Sequence, residues 1–224
     1  MASSHIVKTR IENRLPIARE GIPFLIIGIV ITIIFYFSGL IIPAVIMGLV
    51  SLFALYFFRD PVRVNNVGSD AVLSPADGKI LYVLNLEDGD NPLGEPAIKV
   101  SVFMNVFNVH VNRIPLSGRI LKIAYNPGKF FSANLDKASE QNENTKITLE
   151  TDNGQRVVFL QIAGFIARRI VCWIDEQDQV QAGQRFGLIR FGSRLDVYLP
   201  SNCKIAVMPN QKVNAGVTVL GYLK

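Results

Sequence analysis

The chain is poor in the residues that most often hold metals or cross-link folds. Among 224 residues there are two cysteines and two histidines. Cys172 and Cys203 form neither a metal-ligand spacing nor a disulfide framework. Cys172 lies in Ile170-Val171-Cys172-Trp173-Ile174, the pattern of a buried strand, and reads as a core thiol. Both thiols are expected to stay reduced in a cytoplasmic domain. A catalytic zinc site draws on several His, Cys or carboxylate ligands. With His5 in the N-terminal tail, only His110 remains, so no metal is expected. Lys and Arg exceed Asp and Glu by 23 to 18, yet they nowhere form a dense run, which argues against a nucleic-acid partner.

Charge is absent altogether from residues 21–58. As one helix this stretch would extend roughly 57 Å at about 1.5 Å per residue, nearly twice a hydrocarbon core of about 30 Å. Two helices fit better, 22–37 and 40–58, broken at Ser38-Gly39, with Pro43 early in the second. The first is short for a full span, so a shallow re-entrant hairpin stays open beside a spanning one. The run is too long for a signal peptide and lacks a small-residue cleavage site. Residues 1–59 therefore read as a basic tail and an apolar membrane hairpin. Lys8, Arg10, Arg14 and Arg19 precede the apolar run, and Arg59 and Arg63 follow it. A hairpin puts both flanks on one side, and the excess of positive charge assigns that side to the cytoplasm. There each cation would gain about 1 kcal/mol from an anionic lipid surface.

Past Asp60 the pattern becomes short β-type runs punctuated by Gly, Pro, Asn and Asp. They fall at 71–73, 79–86, 97–104, 109–112, 118–125, 146–151, 156–162, 168–174, 186–190, 195–199 and 204–207. Asp152-Asn153-Gly154 is a hairpin turn signal, and 131–144 is polar enough for a surface loop or short helix. The expected fold of residues 60–224 is a mainly antiparallel β barrel or sandwich that protects its edges. Val180-Gln181-Ala182-Gly183 recurs as Val213-Asn214-Ala215-Gly216, a turn chemistry shared with lipoyl-like hairpins.

One β segment, 186–199, carries Gly192-Ser193 where a strand gains nothing from either residue. A Gly leaves its own carbonyl unshielded, and the next hydroxyl can reach that carbonyl carbon, which is what an N-to-O acyl shift requires. Taken alone, the pair is a weak signal, because a Gly-Ser in a strand is more often a bulge or turn. Three further segments accompany it: Phe58-Arg59-Asp60-Pro61, Leu73-Ser74-Pro75-Ala76-Asp77-Gly78-Lys79-Ile80, and Phe103-Met104-Asn105-Val106-Phe107-Asn108-Val109-His110-Val111-Asn112-Arg113. With Phe191-Gly192-Ser193 they resemble the phosphatidylserine decarboxylase proenzymes in their shorter bacterial and archaeal form, across residues 56–224. The chain departs at Asn108, where many relatives have Asp, and at Phe191, where many longer relatives have Leu.

The resemblance implies a proenzyme that cuts itself between Gly192 and Ser193. A long chain, 1–192, and a short chain, 193–224, would stay together as a heterodimer. Ser193 would become an N-terminal pyruvoyl cofactor whose ketone forms a Schiff base with the substrate amine. The reaction implied is decarboxylation of phosphatidylserine in the membrane to phosphatidylethanolamine and CO2. The chain has no Gly-rich phosphate cradle for pyridoxal phosphate, the usual electron sink. His110 falls on the family's catalytic His, although a lone His in an apolar strand is ordinarily a core residue. An imidazole with a pKa of about 6.5 is largely neutral at pH 7 and can take the Ser193 proton. Asp77 matches the family's carboxylate, which would orient the ring and stabilise the imidazolium. Pro75-Ala76-Asp77-Gly78 is also a competent turn in its own right.

Strand alternation puts Arg190 and Arg194 opposite Ser193, where they would face lipid phosphate. Asp175 and Asp196 read as solvated strand-end charges. Since the cut needs only Asp77, His110 and the Gly192-Ser193 pair, the hairpin is expected to be separable from the site. Two other readings compete. One is a membrane-tethered serine hydrolase of mostly β fold with Ser193 as its lasting nucleophile. The other is a lipoyl-like scaffold without catalysis.

Overall fold

The computed structural model describes residues 15–87, 89–128, 142–164, 169–190 and 192–224. The basic residues Lys8, Arg10 and Arg14, His5, Phe191 and nearly all of the polar stretch 131–144 lie outside them.

Two helices follow the short 3-10 turn Arg19–Gly21: α1, Ile22–Phe37, and α2, Ile41–Phe57. The boundaries follow from punctuation. Pro23 fits the first turn of α1, where a missing N–H costs nothing, and Gly39 takes a positive φ of 76° between the helices. The segment Arg19–Phe37 is long and apolar enough to cross a membrane, while Ile41–Phe57 is shorter. Most of the hairpin's large apolar side chains are exposed, a surface that water does not favour. Thr32 and Ser51 donate to the carbonyls of Gly28 and Met47 in their own helices, at 2.7 and 2.8 Å. Gly28 lies against Ser51, the small-residue contact that lets apolar helices approach closely.

The hairpin is closed at its base. Ile17 and Arg59 form a β-bridge, Ala18 N–H donates to Phe58 O, and Asp60 N–H donates to Pro16 O. Phe57 and Phe58 are buried with Val109, Val111, Trp173 and Leu188 in a satellite core. Buried Asp60 then pairs with Arg185 at 2.7 Å and Arg113 at 3.6 Å. The chain thus leaves the hairpin pinned to the β domain.

The strands are β1 Ala71–Leu73, β2 Gly78–Leu86, β3 Ala97–Met104, β4 Val111–Arg113, β5 Gly118–Asn126, β6 Asn144–Glu150 and β7 Arg156–Ile162. They continue as β8 Ile170–Cys172, β9 Gln179–Val180, β10 Arg185–Ile189, β11 Ser193–Pro200, β12 Lys204–Ile205, β13 Lys212–Val213 and β14 Val219–Tyr222. One sheet runs β13-β2-β3-β11-β7-β6-β5-β9, and two small ones run β1-β14-β12 and β4-β10-β8. Every pairing is antiparallel. The large sheet curls around a core that includes Ile80, Val102, Met104, Phe159, Phe186, Leu195 and Val197.

Two halves of the domain repeat each other about a local twofold. Leu73 N–H donates to Pro115 O at 2.8 Å, and Arg113 N–H donates back to Pro75 O at 2.9 Å. Gly78 pairs with Val213 as Gly118 pairs with Val180. Ile80 N–H reaches Gln211 O as Ile120 N–H reaches Asp178 O, each at 2.9 Å. Gly78 and Gly118 occupy equivalent tight spots, where a Cβ would collide with the carbonyl oxygens of Phe103 and Glu150. The repeated Val-x-Ala-Gly turns meet at the centre, with Gly183 and Gly216 side by side.

One sequence expectation fails here. The segment 186–199 is not one strand: β10 and β11 belong to different sheets. Gly192, at φ 63°, lies in the turn between them. A non-Gly residue in that left-handed conformation would cost about 1–2 kcal/mol.

Candidate active site

Ser193 opens β11, the strand held between β3 and β7, and pairs with Met104 at the end of β3. Its side chain shares the core-facing side with Leu195 and Val197 and is fully buried. The Ser193 hydroxyl has no hydrogen-bond partner among the described residues. Leaving a buried hydroxyl unpaired costs about 1–3 kcal/mol, so its persistence calls for a functional reason.

His110 directly precedes β4, in the small sheet β4-β10-β8. Val111 of β4 pairs with Leu188 of β10, which sets His110 beside the end of β10, just ahead of the turn into Ser193. Asn112 ties the two approaches together. Its Nδ2 lies 3.6 Å from Met104 Sδ, the residue opposite Ser193, and its Oδ1 accepts from Gln161 Nε2 at 2.8 Å. His110 is 1% exposed, and neither ring nitrogen makes a well-formed hydrogen bond. Burial lowers its pKa to about 4; the nearby Asn108 backbone and Asp77 push the other way and Arg59 adds to the fall. The ring is therefore an uncharged base at neutral pH.

Asp77 stands at the turn between β1 and β2. Its carboxylate is held in a bidentate pair by Arg63 and accepts from Ala215 N–H at 2.8 Å. Its field reaches His110, but its hydrogen bonds go to Arg63 and Ala215. The twofold separates the turn role from the charge. In the other half Ser117 Oγ accepts from Ala182 N–H at 3.0 Å, doing for its turn what Asp77 does for Ala215. A neutral hydroxyl suffices to cap this turn, so the carboxylate at Asp77 needs another reason.

Two sequence expectations are corrected. Arg194 does not face lipid: it is fully buried, ion-paired with Asp196 at 2.9 Å and donating to the Tyr82 hydroxyl at 2.7 Å. Asp196 is not a solvated strand-end charge: it is 0% exposed and also meets Lys99 at 3.3 Å. Asp175 is exposed as expected. The separation of hairpin from site also does not extend to its last residues, because the Phe57 ring covers His110.

The sequence reading passed over Arg63, Phe57, Asn112 and Gln161. Arg63 had been counted only as a basic flank, and its spacing after Phe58-Arg59-Asp60-Pro61 was the available signal. Asn112 lay within a quoted motif, whereas Phe57 was hidden among apolar neighbours and nothing marked Gln161. Among the described residues no three His, Cys, Asp or Glu side chains gather as metal ligands.

Residues 50–221 match the family model described as phosphatidylserine decarboxylase. A phosphatidylserine decarboxylase proenzyme of Desulfotalea psychrophila is 47% identical over 95% of this chain and 99% of its own length. Proteins of the same name from Syntrophus aciditrophicus and Geotalea uraniireducens are 50% and 46% identical, over 92% and 93% of this chain and 96% and 97% of their own lengths. Nothing in these relatives supports the hydrolase alternative. On this evidence the chain belongs to the phosphatidylserine decarboxylase family.

Proposed function

We propose that this decarboxylase is made as a precursor that cuts itself between Gly192 and Ser193 and then removes CO2 from phosphatidylserine at a membrane surface. The observation that carries this reading is that the Ser193 hydroxyl and the His110 imidazole are both buried without a hydrogen-bond partner among the described residues, with the left-handed Gly192 directly before the serine.

His110, uncharged at neutral pH, takes the Ser193 hydroxyl proton, and Oγ adds to the Gly192 carbonyl carbon. The C–N bond breaks, the amine takes up a proton, and an ester links Gly192 to Ser193 Oγ. Loss of the Ser193 α-proton expels the ester oxygen, leaving a Gly192 carboxylate and dehydroalanine at position 193. Water then converts that residue to pyruvoyl and releases ammonia. Asp77, anchored by Arg63, supplies the negative field that favours the imidazolium formed on the way.

The residues present fit such a group. Position 193 is enclosed, and the ladder from Ser193 to Pro200 against β3 and β7 keeps the short chain in place after the cut. When present, the ketone supplies the electron sink for the carboxyl's departing electron pair. The long chain, 1–192, and the short chain, 193–224, then remain a heterodimer. The apolar hairpin places the site at the bilayer, with its basic flanks on the cytoplasmic face.

Intact mass of the purified protein tests the reading. Two fragments are expected, ending at Gly192 and beginning with a ketone-blocked residue 193. A single intact chain with full decarboxylase activity would sink it.

A further inference from the structure

Several arginines near the cut or the hairpin base are committed. Arg194 is buried against Asp196, Arg63 holds Asp77, and Arg59 forks to the carbonyls of Tyr56 and Phe107, each at 2.7 Å. Arg190 differs. It ends β10, three residues before Ser193, and its Nε is buried without a hydrogen-bond partner among the described residues. Its backbone N–H donates to Arg169 O at 3.3 Å, continuing the register that pairs Ile189 with Ile170.

Residues directly opposite across antiparallel strands present their side chains on one face, and like charges so placed destabilise the sheet. Arg190 and Arg169 are such a pair. Burial and then the Arg169 charge both make the Arg190 cation costlier, and Glu20 offsets them least. Glu20 Oε1 accepts from Trp173 Nε1 at 3.0 Å, and no ion pair joins Glu20 to Arg190. Two arginines opposite one another, with no ion pair to a carboxylate among the described residues, suit an anion with several acceptor oxygens.

The place suggests which anion. The Arg190 guanidinium lies over the Phe24 ring, 5.3 Å from its centroid, in the first turn of α1. Phe24 also lines the crevice of about 240 Å3 between α1 and α2, together with Phe53, Phe57 and Phe58. Charge and apolar surface therefore change over at Arg190, three residues ahead of position 193 in the chain. A phospholipid with its chains along the hairpin and its headgroup at the site must put its phosphate in this zone. We infer that Arg190, facing Arg169, binds the phosphodiester of the lipid substrate and so sets the reach of its headgroup to position 193. This rests on the function proposed above.

The test uses the full-length protein in detergent: wild type, Arg190→Ala, Arg190→Lys and Arg169→Ala, with processing read by intact mass. Phosphatidylserine is then titrated in mixed micelles. Arg190→Ala should raise KM about tenfold, equivalent to about 1.4 kcal/mol of binding, with kcat within about twofold. Arg190→Lys should fall between, since an ammonium keeps the charge and loses the fork. Arg169→Ala should also raise KM. Phosphatidylglycerol, which shares the phosphodiester but has no amine, should inhibit wild type and lose potency in step with the KM changes. An unmoved KM in the processed variants overturns the inference. Loss of phosphatidylglycerol inhibition alone also overturns it, because the arginines would then hold a bystander lipid. If Arg190→Ala fails to process, Arg190→Lys and Arg169→Ala decide by the same criteria. A wild-type chain that never cuts would instead sink the function proposed above.

Discussion

The Phe57 ring lies against the His110 imidazole, with centroids 4.0 Å apart and 32° between the planes. The last residue of the apolar hairpin is thus a wall of the site. It helps exclude the water that would stabilise an imidazolium, and burial is the largest cause of the fall in His110 pKa to about 4. An anchor that merely tethered the enzyme would leave this histidine wet.

Cleavage should report that environment directly. If His110 is the base, the rate of precursor cutting should be flat above about pH 5 and fall off as His110 protonates through about pH 4. Time courses on freshly refolded precursor, quenched and resolved on gels, would measure it. A fall-off centred near pH 6.5, the value of a solvated imidazole, would contradict the buried base.

Stability should carry the same signature. The folded pKa of about 4 lies below the ordinary 6.5, so the unfolded chain binds the extra proton between these values. The contribution is fully present above pH 6.5 and is lost as the pH falls toward 4. The lost amount is about 3 kcal/mol. Denaturant unfolding of the uncut Ser193→Ala chain should show this slope, and adding His110→Asn should flatten it. Equal slopes in the two chains would reject the assignment.

Phe57→Ala should act on both fold and site. Phe57 is 1% exposed, and truncating a buried phenyl costs about 3–5 kcal/mol. Water entering beside His110 should raise its pKa, so the acid limb of the cleavage profile should move toward higher pH. Deleting residues 1–58 should therefore impair cutting as well as membrane attachment. A truncated chain that cuts at the wild-type rate would show that the hairpin wall is dispensable.

The reason some of this was legible in the sequence lies in punctuation and period. Ser38-Gly39 and the uncharged run fixed the two helices nearly to the residue, and Asp152-Asn153-Gly154 marked the turn between β6 and β7. The turn at Gly192 was legible only as one reading of the Gly192-Ser193 pair, and the change of sheet there was not legible, because it leaves no periodic trace. Nor was the burial of Arg194 and Asp196. Their alternation with Leu195 and Val197 reads as a solvated face, and only the tertiary arrangement with Lys99 and Tyr82 encloses them. The short strands β9, β13 and β14 were missed because their length is set by the partners they pair with, β5, β2 and β1, far away in sequence, and not by local pattern.

The twofold supplies the sharpest test of Asp77. Arg63→Met would leave its carboxylate mostly buried with one remaining donor, Ala215 N–H, and breaking one side of such a pair costs about 3–5 kcal/mol. Asp77→Ser by itself would strand Arg63 instead. The double variant Arg63→Met/Asp77→Ser removes both charges and keeps a hydroxyl for Ala215 N–H, copying the Ser117 turn of the other half. It should recover most of the loss of either single change, to within about 1 kcal/mol of wild type, because replacing both partners of a buried pair is often near neutral. Its cutting should nonetheless be slow, because nothing then supplies the negative field at His110. Denaturant unfolding in the Ser193→Ala background and cleavage half-times with Ser193 intact give the two readouts. A double variant that folds and cuts like wild type would reduce Asp77 to a turn residue and remove the carboxylate from the mechanism.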